Sequence, residues 1–224
     1  MKDLALFADG TAGSDQRHSV AHQLVAPVHD FSGAFLFAVD DGGSLSLRGL
    51  SFGAAWSGAD FPNLRAIVAV EAGVASIENC VFDGVSPTGG AVDVNGRDAA
   101  LFVSSSVFVG LATTALWVTH GTTIVVEDSM FADIAAAQGP ALRLWAMDAT
   151  DVAIRQSTFA RNAALEGGGG AVNVQSVGAL VVEDCTFFGN AAVEFLDDAL
   201  ARLEQIFRLV VVESHGAYEA VERF

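Results

Sequence analysis

Short runs of alternating apolar and polar residues recur along this chain. "AVDVN" (91–95), "ALWVT" (115–119), "ALRLW" (141–145) and "AVNVQ" (171–175) each read apolar, any, apolar, with weaker versions in "FLFAV" (35–39) and "IVAVE" (67–71). A period of two is the signature of a strand with one buried face. A corner bearing Gly or Asp follows, such as "NGRDAA" or "THGTT", and then a second strand: "LFV" (101–103), "IVV" (124–126), "VAI" (152–154) or "LVV" (180–182). Six units end on phenylalanine: "LRGLSF" (47–52), "IENCVF" (77–82), "VSSSVF" (103–108), "VEDSMF" (126–131), "IRQSTF" (154–159) and "VEDCTF" (182–187). The anchors Phe52, Phe82, Phe108, Phe131, Phe159 and Phe187 are spaced by 30, 26, 23, 28 and 28 residues.

Repetition at such a period marks stacked units, each burying its apolar face against its neighbours. No segment inside the repeat has a helical period, which excludes helical repeats. The Leu and Asn spacing of leucine-rich repeats is missing, and propeller blades are longer and hold more strands. What remains is an all-β solenoid in which each turn pairs in parallel with the next, a parallel β-helix of about six turns. Val92/Val94, Leu116/Val118, Leu142/Leu144 and Val172/Val174 then point inward, and the phenylalanines form an inner stack.

The repeats span residues 35–192. Residues 1–34 read as an N-terminal segment or cap. Residues 193–224 read as a C-terminal helix and strand that cap or flank the coil. The helix is expected over 194–208, where Leu196, Leu200, Leu203 and Phe207 recur on one face, and the strand over "LVVVE" (209–213). Exposed coil ends invite aggregation, so a cover is expected. One surface for the flank is the outward column Phe102, Val125, Ala153 and Val181.

The sixth unit, "GGGGAVNVQSVGALVVEDCTFFGNAA" (167–192), resembles the Gly-Gly-Ala-Ile and Phe-x-x-Asn units of polymorphic outer-membrane-protein repeats. More broadly, the chain is similar to right-handed β-helix domains of the pectate-lyase-like superfamily. The resemblance implies a right-handed coil and covers roughly residues 35 to 192. The family asparagine carries over only to Asn162 and Asn190, because Val85, Leu111 and Ile134 stand in its place in earlier turns. This fold hosts lyases, hydrolases, adhesins and passive stalks.

The chain has 224 residues and a formal net charge of −16, with ten Arg and one Lys. Such an acidic chain repels nucleic acid backbones and anionic lipid. No apolar run reaches the roughly 18 residues that span a bilayer. "MKDLALFADG" is too short in its apolar part to be a signal peptide, so an extracellular or cell-surface setting implies a longer exported protein.

The two cysteines, Cys80 and Cys185, occupy the same slot in turns two and six. About four rungs at ~4.8 Å put them near 19 Å apart, beyond the roughly 7 Å between disulfide Cα atoms. The slot otherwise holds Leu50, Ser106, Ser129 and Ser157, so both are expected to be buried structural thiols. His18, His22 and His29 sit near the N-terminus without a metalloprotease motif. Asp98, Asp148 and Asp151 stand in corners, where Asp serves turns and could bind calcium weakly. No other cofactor is implied.

On the outer face of the first strand, one column reads Asp93, Trp117, Arg143, Asn173 and the next reads Asn95, Thr119, Trp145, Gln175. Indole faces stack on sugar rings, while Arg, Asp and Asn hydrogen-bond hydroxyls. The competing reading buries both indoles beneath a corner such as 135–140 or the C-terminal helix. The resemblance adds that related enzymes bind polysaccharide along one face of the coil. A lyase or hydrolase needs converging carboxylates or a calcium cluster, and the strand faces offer only Asp93 near Arg143. The column Arg48, Glu78, Ser104, Glu127, Arg155, Glu183 reads as a solvated charge ladder. The expected function is a non-enzymatic β-helix domain that contacts glycan or a cell-surface partner in adhesion. The alternatives are a polysaccharide lyase or glycoside hydrolase of the pectate-lyase-like kind, and a passive structural segment.

Overall fold

The structure, a computed structural model, describes residues 4–7, 22–24, 35–40, 42–54, 62–145, 147–166, 168–175 and 177–192. Its repeating unit is set by a tight corner. In "IENCVF" the strand Gly73–Glu78 ends, Asn79 takes a left-handed φ of 52°, and the strand Val81–Asp83 begins in a new direction. Ser105, Asp128, Gln156 and Asp184 take the same conformation at the same place (φ 47° to 51°), and Gly49 does so in the first unit. Asn and Asp tolerate this region better than most side chains.

The Cys/Ser slot follows at once and explains itself by hydrogen bonding. Each hydroxyl donates to the carbonyl two residues back: Ser106 to Ser104 at 2.8 Å, Ser129 to Glu127 at 2.7 Å and Ser157 to Arg155 at 2.7 Å. Each then accepts the N–H of the neighbouring rung, from Cys80, Ser106 and Ser129 in turn. The Cys80 and Cys185 thiols make the same backward contacts, to the Glu78 and Glu183 carbonyls at 3.4 and 3.2 Å. Both cysteines are free. Cys80 is buried, but Cys185 is only half-buried, because its rung is the last one described.

Three long parallel sheets run along the coil, each in chain order, and a short fourth pairs Ala135–Ala136, Ala163–Ala164 and Ala191–Ala192. The first holds Leu4–Phe7, Gly43–Arg48, Gly73–Glu78, Ala99–Ser104, Thr123–Glu127, Met147–Arg155 and Val177–Glu183. The second holds His22–Leu24, Leu50–Phe52, Val81–Asp83, Val107–Val109, Met130–Ala132, Thr158–Ala160 and Thr186–Phe188. The third holds Phe35–Val39, Ala66–Val70, Val92–Val94, Leu116–Val118, Leu142–Leu144 and Val172–Val174. Its six rungs are separated by five turns, so the described coil makes about five turns rather than six. Leu4–Phe7 and His22–Leu24 pair with Gly43–Arg48 and Leu50–Phe52, and so extend the first two sheets by a rung. No helix occurs among the described residues, and the helix expected over 194–208 lies outside them.

The inward columns are in register. Val92, Leu116 and Leu142 are fully buried, and Leu101, Ile124 and Val152 are buried in the same way. The six phenylalanines stack with centroids 4.6 to 5.1 Å apart, and from Phe82 onward the rings lie within 7° of parallel. This is the rung spacing itself: a strand repeat near 4.8 Å leaves aromatic rings in one column no other separation. Phe187 closes the described stack and is 42% exposed.

Asn162 is fully buried. It accepts the Ile134 N–H at 3.2 Å and donates to the Phe131 carbonyl at 3.1 Å, while Asn190 repeats the pattern one rung on by donating to Phe159. These side chains satisfy backbone groups at the corner that leaves the second sheet.

Candidate functional site

The third sheet carries the site. Its register aligns Ala69, Asp93, Trp117, Arg143 and Asn173 in one outward column. Backbone N–H groups of Asn95, Thr119, Trp145 and Gln175 continue the ladder into the rung before, so the second column is also continuous. Glycine corners run beside the first column. A Cβ on Gly90 would lie 2.9 Å from the Trp117 Cβ, and one on Gly139 would lie 2.8 Å from the Asn173 Cβ. The backbone can therefore flank the column closely only where glycine stands.

Arg143 occupies the centre. Its guanidinium carbon lies 5.0 Å from the Trp117 ring centroid and 4.7 Å from that of Trp145. One indole belongs to the rung before and the other to the residue two further along the same rung. Cation–π contacts of this kind contribute about 0.5–2 kcal/mol each, the upper end applying where water is excluded. Trp117 is half-buried, whereas Trp145 is 40% exposed. Trp145 is thus not beneath a corner, and each indole presents a surface to the arginine. Burial pushes the Arg143 guanidinium down from its ordinary value, and no carboxylate pairs with it among the described residues.

Asp93 does not reach outward as the alternating pattern implied. It is 1% exposed, and its Oδ2 lies 3.3 Å from Nε of Arg65, in the corner before the preceding rung. Outward on a sheet is not exposed when a corner covers the strand. Burial raises the Asp93 carboxyl, Arg65 pulls it down, and the nearby Glu71 pushes it up again; burial prevails. The ion pair is close but poorly directed, since Asp93 Oδ2 has no well-aligned hydrogen bond. Trp117 Nε1 and Arg143 Nε also lack partners among the described residues. All three of these buried atoms belong to one column on consecutive rungs.

Asn173 stands at the end of the column, half-buried, and donates to the Gly168 carbonyl at 3.4 Å. The charge ladder on the first sheet is continuous in register from Arg48 to Glu183. Arg155 bridges Glu183 at 2.9 Å and Glu127 at 3.2 Å, and Arg48 meets Glu78 at 3.1 Å. Phe102 is 40% exposed on the same sheet, in the outward column beside the ladder. Asp98 sits exposed in a turn, whereas Asp148 and Asp151, expected at a corner, fall within the strand Met147–Arg155, and no group of three or more His, Cys, Asp or Glu is placed to hold a metal among the described residues. His18 and His29 lie outside those residues, and His22 opens a short strand. Arg65 gave no signal in the strand pattern, because it precedes its strand. Glu71 follows one, and its outward alternation with Ala69 was readable.

Comparison with protein families matches residues 60–201 to the model described as a right-handed β-helix region. The chain belongs to the right-handed β-helix family. That assignment gives the coil its hand and accounts for the turn-by-turn parallel pairing. Comparison with curated proteins and with solved structures gave no match.

Proposed function

We propose that this β-helix is a ligand-contact module of a surface or secreted protein, and that it binds saccharide along the outer face of its third sheet. The observation that carries this reading is the pair Trp117 and Trp145, whose ring centroids lie 5.0 and 4.7 Å from the Arg143 guanidinium carbon. Indoles fixed by a guanidinium lose little conformational entropy on binding, and the exposed surface of Trp145 suits the C–H face of a sugar ring. The carboxylates of the strand faces support a role in binding over one in cleavage. Asp93 is paired with Arg65, Glu78 with Arg48, and Glu127 and Glu183 share Arg155, while Asp83 and Asp151, which have no ion pair among the described residues, stand on different sheets. A glycosidase needs one carboxyl free to give a proton and another free to attack or to activate water.

A glycan array probed with the full chain tests this. Wild type should retain a defined subset of glycans. Trp145→Ala should weaken retention at least about tenfold, the loss expected when a stacking residue is removed. Retention unchanged by Trp145→Ala and Trp117→Ala, or no retention by wild type, overturns the reading.

A further inference from the structure

The outer face of the first sheet is a second surface, apart from the tryptophan column on the third. Its register lays two columns side by side. One is apolar through its middle: Ser46, Ser76, Phe102, Val125, Ala153 and Val181. The other, two residues further along each strand, is the charge ladder from Arg48 to Glu183. Phe102 is 40% exposed, and Val74 on the same face is 41% exposed. Bared apolar side chains grouped on one face and rimmed by charge mark a contact surface. The ladder's own ion pairs leave their charged side chains 39–55% exposed, so each keeps room for a further partner.

We infer that this face binds a second copy of the chain, sheet against sheet with the two coils running in opposite directions. The two-fold axis lies along the strands, between the rungs of Ser104 and Glu127. The order of charges on the ladder selects this arrangement. From Arg48 it runs positive, negative, neutral, negative, positive, negative: Arg48, Glu78, Ser104, Glu127, Arg155, Glu183. Reversal about that axis sets Arg48 opposite Glu183, Glu78 opposite Arg155 and Ser104 opposite Glu127. Each pair occurs twice, because the same patch serves both copies. A slip of one rung sets Glu78 opposite Glu127 and Arg48 opposite Arg155, and a slip the other way sets Glu78 opposite Glu183. Ladders that face each other with the coils running the same way oppose every charge to itself. Like charges across an interface exclude these alternatives. The chosen axis also sets Phe102 opposite Val125 in both halves, at the centre, where an apolar anchor contributes most. The corner acids Asp128 and Asp184 then face Ser105 and Gly49. A mismatched pair, Val74 opposite Asp151, falls at the margin of the face, where strand pairing begins. Sheets packed face to face lie ~10 Å apart, a gap that arginine and glutamate side chains span together. Six rungs at ~4.8 Å and strands of about five residues give each copy a face of roughly 400–500 Å². About 1,000 Å² in total is the lower limit of a specific interface, so the dimer is a weak one.

Sedimentation velocity of the full chain over a wide range of concentration tests the inference. Salt at about 0.15 M gives a Debye length of about 8 Å, which damps the repulsion between whole chains but not the contact pairs; the net charge of each chain is −16. A reversible dimer should form with a dissociation constant of about 1–100 μM. Phe102→Glu should weaken it at least about thirtyfold, the scale of a lost central anchor. Labelling of Phe102 by hydroxyl radicals should fall as the dimer fills. Mixing tests the arrangement of the rungs. Glu78→Arg alone opposes cation to cation, and Arg155→Glu alone opposes acid to acid, so each variant should be monomeric. An equimolar mixture of the two should form a heterodimer, because each substituted residue then meets its opposite; a folding defect in either chain is not repaired by mixing. Circular dichroism verifies that the variants fold, and the wild-type measurement depends on none of them. Monomer at every concentration overturns the inference: if Phe102 is labelled the face is bare, and if it is shielded another part of the same chain covers it. A dimer that survives Phe102→Glu or either charge variant uses a different surface, and one not regained on mixing uses a different arrangement of rungs; each overturns it. The saccharide reading, which concerns the third sheet, stands or falls separately.

Discussion

Truncating Phe131 to alanine should cost far more than the same change at Phe187, although both belong to one stack. Phe131 is fully buried, with Phe108 at 4.9 Å on one side and Phe159 at 5.1 Å on the other. A phenylalanine that buries about 150–250 Å² at about 25 cal/mol/Å² contributes about 4–6 kcal/mol against exposure. Measured Phe→Ala losses in cores run about 3–5 kcal/mol, and Phe131 sits at the upper end because two ring contacts go with it. Phe187 touches one ring, at 4.6 Å, and is 42% exposed. Roughly half the area and one contact leave about 2 kcal/mol. Urea unfolding followed by far-ultraviolet circular dichroism measures both. In a coil whose rungs feel only their neighbours, the Phe131 variant should also unfold less cooperatively, with a lower slope against denaturant. Equal losses at the two positions, or a loss below about 1.5 kcal/mol at Phe131, would refute the claim that the stack is the coil's continuous core.

Asp93→Asn should be neutral near pH 3.5 and stabilising at pH 7. Burial raises the native carboxyl, so the folded state holds a proton that the unfolded state has lost above about pH 3.9, and wild-type stability falls as pH rises through that window. Urea midpoints from pH 3.5 to 8 check it; a variant destabilised at pH 7 means that the Arg65 pair outweighs burial. Asn162→Ala should cost about 2–3 kcal/mol, because it orphans the Ile134 N–H and the Phe131 carbonyl. Faster hydrogen exchange at the Ile134 amide, beyond the global change, locates the effect, and unchanged exchange there refutes it.

The coil was legible because its signals are local and repeated. Six phenylalanines at one offset, each a fixed step after an inward Leu, Val or Ile, specify parallel register without any long-range information. The left-handed corners were half legible. Asn79, Asp128 and Asp184 are residue types that accept positive φ, whereas Ser105 and Gln156 take it only because the neighbouring rungs impose it. The outer face was legible as a set of columns but not as a set of contacts. Alternation puts Asp93, Trp117 and Arg143 on one side of a strand, yet it cannot say that Arg65 reaches Asp93 from a corner. Nor can it say that a guanidinium stands between the two indoles, since that depends on rotamers. The last rung departs for a plainer reason: Cys185 and Phe187 have a neighbour on one side only among the described residues.

The connections between the sheets differ in how much variation they absorb. Between the first and second sheets the step from inward residue to phenylalanine never changes: Ile77 to Phe82, Val103 to Phe108, Val126 to Phe131, Ile154 to Phe159, Val182 to Phe187. The left-handed residue and the Ser/Cys ladder pin that edge. Between the second and third sheets the step ranges widely, from the long stretch between Phe52 and Val68 to the short one between Phe108 and Leu116. Most length variation in the chain is thus collected along one margin, the one that borders the tryptophan and arginine column. Insertions and deletions there alter the rim of that face without disturbing any rung of the coil beneath.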